Sequence, residues 1–159
     1  MKKKYLLFFA TTATVILLDQ ITKAYVISTM SIHKSFAVIE GFFNITYIRN
    51  PGAAFGFLAG ASPIFRQVFF LSAAIAVILL ILHGIRKSGE KEFLLVFSLS
   101  LLSAGAAGNL IDRVRFGEVV DFLDVYLGHY HWPAFNIADA AISTGVAIVI
   151  LIMLKRKKV

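Results

Sequence analysis

The sequence predicts an all-α membrane protein of four transmembrane helices, with a small extracytoplasmic β-hairpin or sheet and a short interfacial helix. Three observations lead there. The 159 residues are 58% hydrophobic and 16% charged with a mean hydropathy of +0.81, a balance too apolar for a water-soluble domain of this length. The apolar residues fall into four long runs. The basic residues fall between and beyond them in clusters.

A hydrocarbon core about 30 Å thick takes roughly 20 helical residues to cross. The runs Tyr5 to Ile27, Ile64 to Leu82, Phe93 to Leu110 and Phe135 to Leu154 meet that length. They place spans at about 5–27, 64–82, 93–112 and 135–154 in a single integral-membrane domain covering residues 1–159. Lys2 to Lys4 precede the first run, Arg86, Lys87 and Lys91 join the second to the third, and Lys155 to Lys158 follow the fourth. By the positive-inside rule all three clusters are cytoplasmic, so both termini lie inside and the loops 28–63 and 113–134 face outward. The formal charge of +7 is thus spent at membrane edges and not on a nucleic-acid footprint. A basic start followed by an apolar stretch also matches a secretory signal peptide, but the run is long, continues into Asp19, Gln20 and Lys23, and offers no small-residue cleavage pattern.

In the first outward loop, Phe36 to Tyr47 is rich in Phe, Val, Ile, Thr and Tyr around Gly41, which predicts a hairpin or paired strands. Asn50, Pro51 and Gly52 signal a turn, and Ala53 to Gly60 is small and aromatic enough for an interfacial helix touching lipid. The second outward loop is polar and aromatic, with Tyr126, Tyr130 and Trp132 suited to an interfacial belt. Gly52, Gly56 and Gly60, and again Ala104 and Gly108, recur at a spacing that permits close helix approach.

Charge inside a bilayer is costly, so the depth of each acid is informative. Asp19 lies fifteen positions after Lys4 and Asp139 fifteen before Leu154, which at 1.5 Å per residue puts both roughly 22 Å above the cytoplasmic edge. Asp112 comes out about 28 Å up by the same rise, and Asp121 follows in the loop. Gln20, Asn50, Asn109 and Asn136 flank these acids, with Lys23 and Arg113 at similar height. Two carboxylates sharing a site cannot both ionise easily, so one retains a proton while the other activates water. Asp19 and Asp112 also have a plainer reading as ion-pair partners of Lys23 and Arg113, and Asp121 and Asp124 as solvated loop acids.

Other chemistries find less support. Cysteine is absent, which removes disulfides and thiolate chemistry. His129 and His131 have no third ligand at supporting spacing, so neither a metal site nor any cofactor is expected. Ser98, Ser100 and Ser103 have no activating neighbour in sequence. Asn44-Ile45-Thr46 matches a glycosylation acceptor by chance. A proton-coupled carrier would place acids in both halves of the bilayer and carry an inverted repeat, and a purely structural subunit would not need so many outward polar groups.

Five segments, Asp19-Gln20-x-x-Lys23, Asn50-Pro51-Gly52-Ala53-Ala54-Phe55, Gly108-Asn109-x-x-Asp112-Arg113, Val119-Val120-Asp121-Phe122 and Phe135-Asn136-x-Ala138-Asp139, resemble in order and spacing the signature segments of the lipoprotein signal peptidases, or signal peptidase II. The resemblance covers essentially the whole chain. It implies that Asp121 and Asp139 form a catalytic dyad, and that Asp19, Lys23, Asn50, Asn109, Asp112, Arg113 and Asn136 support the site or contact substrate. It further implies an aspartic endopeptidase of the bacterial cytoplasmic membrane, monomeric, with its active site near the outer face. Its substrates would be diacylglyceryl-modified prolipoproteins, cut before the lipidated cysteine, and it would be inhibited by globomycin-type peptides.

Overall fold

In a computed structural model, which describes residues 2–53 and 57–156, the chain runs as four long helices with strands inserted in two connections. They are α1 (Lys3–Thr29), β1 (Ser35–Ile39), β2 (Phe43–Asn50), α2 (Pro63–Lys87), α3 (Phe93–Phe116), β3 (Val119–Leu127), β4 (Tyr130–His131) and α4 (Ile137–Arg156). All four helices are long and apolar enough to cross a membrane, so the chain is built as a multi-pass membrane protein. Helices α1, α2 and α4 present most of their apolar stretch outward, whereas half of that of α3 is buried inside the protein. The difference marks α3 as the central helix, and it packs against each of the other three.

Small residues make that central position possible. Ser98, Ser100, Ser103, Ala104, Gly105 and Gly108 are all buried along α3. A Cβ added at Gly105 would stand 2.3 Å from the Ala138 carbonyl oxygen and 2.6 Å from Ile142 Cγ1. Only the missing side chain lets the two backbones approach this closely, the general device by which membrane helices pack without a hydrophobic driving force between them. Ser98 and Ser100 satisfy their hydroxyls on the carbonyls of Leu95 and Val96, so they serve packing.

One end of the bundle gathers the basic clusters. Lys4 Nζ, buried, donates to the carbonyls of Ser88 at 2.7 Å and Arg86 at 3.2 Å, placing a cation at the C-terminus of α2 where the helix dipole favours it. Arg156 pairs with Glu92 across the start of α3 and the end of α4. The sheet lies at the opposite end. It is antiparallel in the order β1-β2-β3-β4, with Ile48 opposite Asp121 and Asn50 opposite Val119. Val26, Tyr47, Val120 and Phe122 form a small core that seats it on α1. The left-handed backbone of Gly117 (φ +76°) ends α3 and turns the chain directly into β3.

The hairpin expected in residues 36–47 is present. The second connection adds strands β3 and β4 that the polar and aromatic composition did not suggest, and this corrects the reading of 113–134 as loop. The fourth helix starts at Ile137 rather than 135, because Asn136 caps it and Phe135 pairs with Leu123 of β3. Of the stretch 53–60 expected as an interfacial helix, residues 54–56 lie outside the described residues, and 57–60 form a turn.

Replacing Gly105 by Leu forces α3 away from Ala138. Overpacking of this kind costs about 1–3 kcal/mol, so the midpoint of thermal unfolding in detergent is expected to fall clearly below that of the wild type, with Gly105→Ala intermediate. An unchanged midpoint for the Leu variant would show that the two helices are not in close contact there.

Candidate active site

The acids placed by depth in the sequence do converge, and the structure sorts them into two pairs. The first pair holds a cation. Lys23 Nζ lies 2.8 Å from Asp19 Oδ2 and 2.8 Å from Asp112 Oδ2, and donates to Asn109 Oδ1 at 3.2 Å. Lys23, Asp19 and Asp112 are 2%, 0% and 1% exposed. Charges so fully removed from water persist only when paired and hydrogen-bonded, and here every remaining acceptor is used. Asp19 Oδ1 accepts the Ala138 N–H at 3.0 Å, Asp112 Oδ2 accepts the Val120 N–H at 3.1 Å, and Gln20 Nε2 spans Asp19 Oδ2 and Asp112 Oδ1 at 3.1 Å each.

The ion-pair reading of Asp19 and Asp112 therefore holds, with one change of partner. Asp112 pairs with Lys23 and not with Arg113, because consecutive helical residues point in different directions. Arg113 instead donates to the carbonyls of Gly52 at 2.7 Å and Asn109 at 3.4 Å, and its guanidinium lies 4.5 Å from the centre of the Phe70 ring. It fastens the loop after β2 to α3.

The second pair, Asp121 and Asp139, is bound by neutral amides. Asp121 Oδ1 accepts from Asn136 Nδ2 at 2.8 Å, and its Oδ2 from Asn50 Nδ2 at 3.0 Å. Asp139 Oδ1 accepts from Asn109 Nδ2 at 2.7 Å, and its Oδ2 from the Asn136 N–H at 3.3 Å. Each carboxylate oxygen thus has one amide donor. Asn136 touches both acids because it caps α4: its Oδ1 accepts the Asp139 N–H at 2.9 Å while Asp139 reaches back to its backbone N–H, a reciprocal capping box. Its side-chain amide then turns to Asp121, Asn109 and the Val120 carbonyl. Asn50 is steadied in the same way, its Oδ1 accepting the Gly52 N–H at 3.0 Å.

Burial is the main reason Asp121 holds its proton far more tightly than an ordinary aspartate, up to a pKa of about 7; the nearby charge of Asp139 adds to the effect, and the amide donors and Lys23 offset part of it. Both carboxyls line a cavity of about 690 Å³ whose other walls include Asn50, Phe70, Asn109, Arg113 and Ile142. A second cavity of about 350 Å³, apolar and walled by Leu80, Ile81, Leu99 and Leu102, shares Val77, Ala106 and Ile142 with it. The space beside the two acids thus continues along the apolar flank of α2 and α3.

All nine residues singled out from sequence, Asp19, Lys23, Asn50, Asn109, Asp112, Arg113, Asp121, Asn136 and Asp139, belong to this one network. Gln20 belongs with them as a bridge between Asp19 and Asp112, and Gly108 belongs because a Cβ there would stand 2.7 Å from Asp19 Oδ2. Asp124 is a correction. It is buried, accepts from Asn44 Nδ2 at 2.9 Å and pairs with His131 Nδ1 at 2.8 Å, with the His131 ring stacked on Tyr126. No group of three His, Cys, Asp or Glu side chains suited to a metal ion occurs among the described residues.

A family model described as Signal peptidase (SPase) II matches residues 11–155. A lipoprotein signal peptidase of Syntrophus aciditrophicus (strain SB) is 57% identical over 158 residues, covering 99% of this chain and 98% of that protein. Another, from Desulforapulum autotrophicum, is 54% identical over 134 residues, covering 84% and 83%. A solved structure described as a bacterial membrane enzyme, obtained by the in meso method at 2.3 Å resolution, superposes with a TM-score of 0.86 at 39% identity, covering 94% of this chain and 88% of that one. Family model, relatives and fold agree over nearly the whole length, and the chain belongs to the signal peptidase II family.

Proposed function

We propose that this chain is the membrane endopeptidase that removes the signal peptide from diacylglyceryl-modified prolipoproteins, cutting before the lipidated cysteine, with Asp121 and Asp139 as an aspartic dyad. Family membership and the names of the relatives support the substrate class. The observation that carries the mechanism is the contrast between the two acid pairs: Asp19 and Asp112 are committed to Lys23, whereas Asp121 and Asp139 face a cavity and are held by amides alone. The cavity continues into an apolar groove, which suits a substrate that arrives sideways from lipid.

In this reading the dyad carries one proton. The ionised carboxylate takes a proton from a water held between the two acids, and the water oxygen attacks the scissile carbonyl carbon while the protonated carboxyl gives its proton to the carbonyl oxygen. The tetrahedral diol then collapses: one of its hydroxyls returns a proton to the ionised carboxylate as the C=O re-forms, the C–N bond breaks, and the departing amine takes its proton from the other carboxyl, so the dyad again carries one proton. No covalent enzyme intermediate forms. Amide donors suit this work, because they orient all four oxygens without a cation that would lock both acids in the ionised form.

The domain is a single membrane unit acting as a monomer in the bacterial cytoplasmic membrane, with both termini inside, following the basic residues at that end. The sheet and the turn at 57–60 then lie at the outer face, against the lipid interface, and the site opens toward the outer leaflet, where globomycin-type peptides compete with substrate.

Asp121→Asn and Asp139→Asn are each expected to lower turnover of a lipidated precursor by ~10²–10⁴-fold, and the double variant to lose little more, since the two act as a unit. Near-normal turnover by either folded single variant removes the dyad. The pH dependence follows from Asp121: its raised pKa keeps the proton on the dyad below about pH 7, and above that value the pair becomes dianionic and loses its acid. Turnover is therefore expected to fall with rising pH through that region, and a flat profile from about pH 6 to 9 would contradict the assignment. Activity is expected to survive a strong chelator; abolition that added zinc reverses would favour a metal-dependent peptidase.

A further inference from the structure

The Lys23 cluster touches neither face of the cavity's two acids directly, yet it is bonded to the chain immediately before each of them. Asp112 Oδ2 accepts the N–H of Val120, the residue preceding Asp121, at 3.1 Å. Asp19 Oδ1 accepts the N–H of Ala138, the residue preceding Asp139, at 3.0 Å. Val120 and Ala138 are both 0% exposed. Each is also held on a second side. The Val120 carbonyl accepts from Asn136 Nδ2 at 3.2 Å, and the Ala138 carbonyl is pressed against Gly105, where any Cβ would collide with it.

We infer that Asp112 and Asp19 are positioning residues for the dyad, acting as a matched pair of carboxylate acceptors, locked by Lys23, that fix the backbone ahead of Asp121 and Asp139. This rests on the reading of those two acids as catalytic. The four segments involved, α1, α3, β3 and the start of α4, are otherwise joined by apolar packing and by neutral side-chain amides of Asn109 and Asn136, which hold the backbone less firmly than a charged acceptor on the peptide N–H. A hydrogen bond to the peptide N–H sets both distance and direction, and a charged acceptor makes the bond short and strong. Lys23, at 2.8 Å from both acceptors, ties the two anchors to each other, so a displacement of β3 is transmitted to α4 through one ammonium group. Gln20 closes the same bridge on the other side of the acids. The sequence places the anchors on different helices, so neither is recognisable as an anchor until the fold brings β3 and α4 against them.

The role separates from catalysis and from bare stability by comparing Asp112→Asn with Asp112→Ala in the full-length protein, using a synthetic diacylglyceryl-cysteine precursor peptide. The amide oxygen of Asn still accepts the Val120 N–H, and its partner pair Lys23 and Asp19 stays neutral overall; Ala leaves the N–H without an acceptor. Displacement of reacting groups by an ångström costs about 100-fold, so Asp112→Ala is expected to lower kcat by about that factor with KM unchanged. Asp112→Asn is expected to recover it to within about fivefold of the wild type, the scale of one weakened hydrogen bond. Asp19→Asn and Asp19→Ala repeat the contrast at Ala138. The inference is overturned if folded Asn and Ala variants lose kcat equally, if the Ala variant keeps kcat, or if the loss lies in KM. Where an Ala variant does not fold, the folded Asn variant decides alone: loss as deep as that of Asp121→Asn overturns the positioning role. Retained turnover by Asp121→Asn or Asp139→Asn instead defeats the dyad and leaves the cause of the failure plain.

Discussion

A lysine ammonium enclosed by two carboxylates, with all three side chains withdrawn from water, is the constraint on which the rest of this structure depends. Inside a bilayer an unpaired charge costs far more than the packing around it can return, so Lys23, Asp19 and Asp112 have to meet. Their meeting fixes α1 against α3. Their spare lone pairs, which must also be satisfied, reach the backbone of β3 and of α4. A solvation requirement is thereby converted into a geometric one, and the sheet end of the bundle acquires a rigid polar floor in an otherwise apolar molecule.

On that floor the second pair of acids is held in a different way. Asp121 and Asp139 have no cation of their own, only amide donors from Asn50, Asn109 and Asn136. Burial then works against ionisation instead of being cancelled, and Asp121 keeps a proton near neutral pH. The two pairs of aspartates thus differ in what they are bonded to: Lys23 lies directly between Asp19 and Asp112, and amides hold Asp121 and Asp139. The cavity beside the second pair shares part of its wall with an apolar groove along the surface of α2 and α3.

Much of this was legible in the sequence, and the failures have physical causes. Counting the helical rise put Asp19 and Asp139 at one level, and the Asp19 bond to Ala138 bears that out. Hydropathy gave all four spans, because twenty apolar residues leave few alternatives. Adjacency suggests Arg113 as the partner of Asp112, yet neighbouring positions on a helix point apart; its true partner lies on another helix, 89 positions away in number and invisible to any local rule. Strand β3 was missed because its acids and aromatics read as a polar loop. The signal was present: Val119 to Leu127 is rich in β-formers and bracketed by Gly117 and Gly128. Asn136 stands out in the sequence as an amide flanking the acids, but its function as helix cap and as shared donor to both acids emerges only when β3 folds back beside α4.

The central claim is the proposed one, that Asp121 and Asp139 share one proton, held by amide donors and with no ion pair to either acid among the described residues. Isotope-edited infrared spectroscopy of the protein labelled at aspartate carboxyls, in lipid and across pH, tests it directly. The expected spectrum shows a protonated aspartate band that persists to about pH 7 and is lost or displaced when either Asp121 or Asp139 is replaced by Asn. A protein whose aspartates are all ionised by about pH 5, like ordinary solvated carboxyls, would contradict the account.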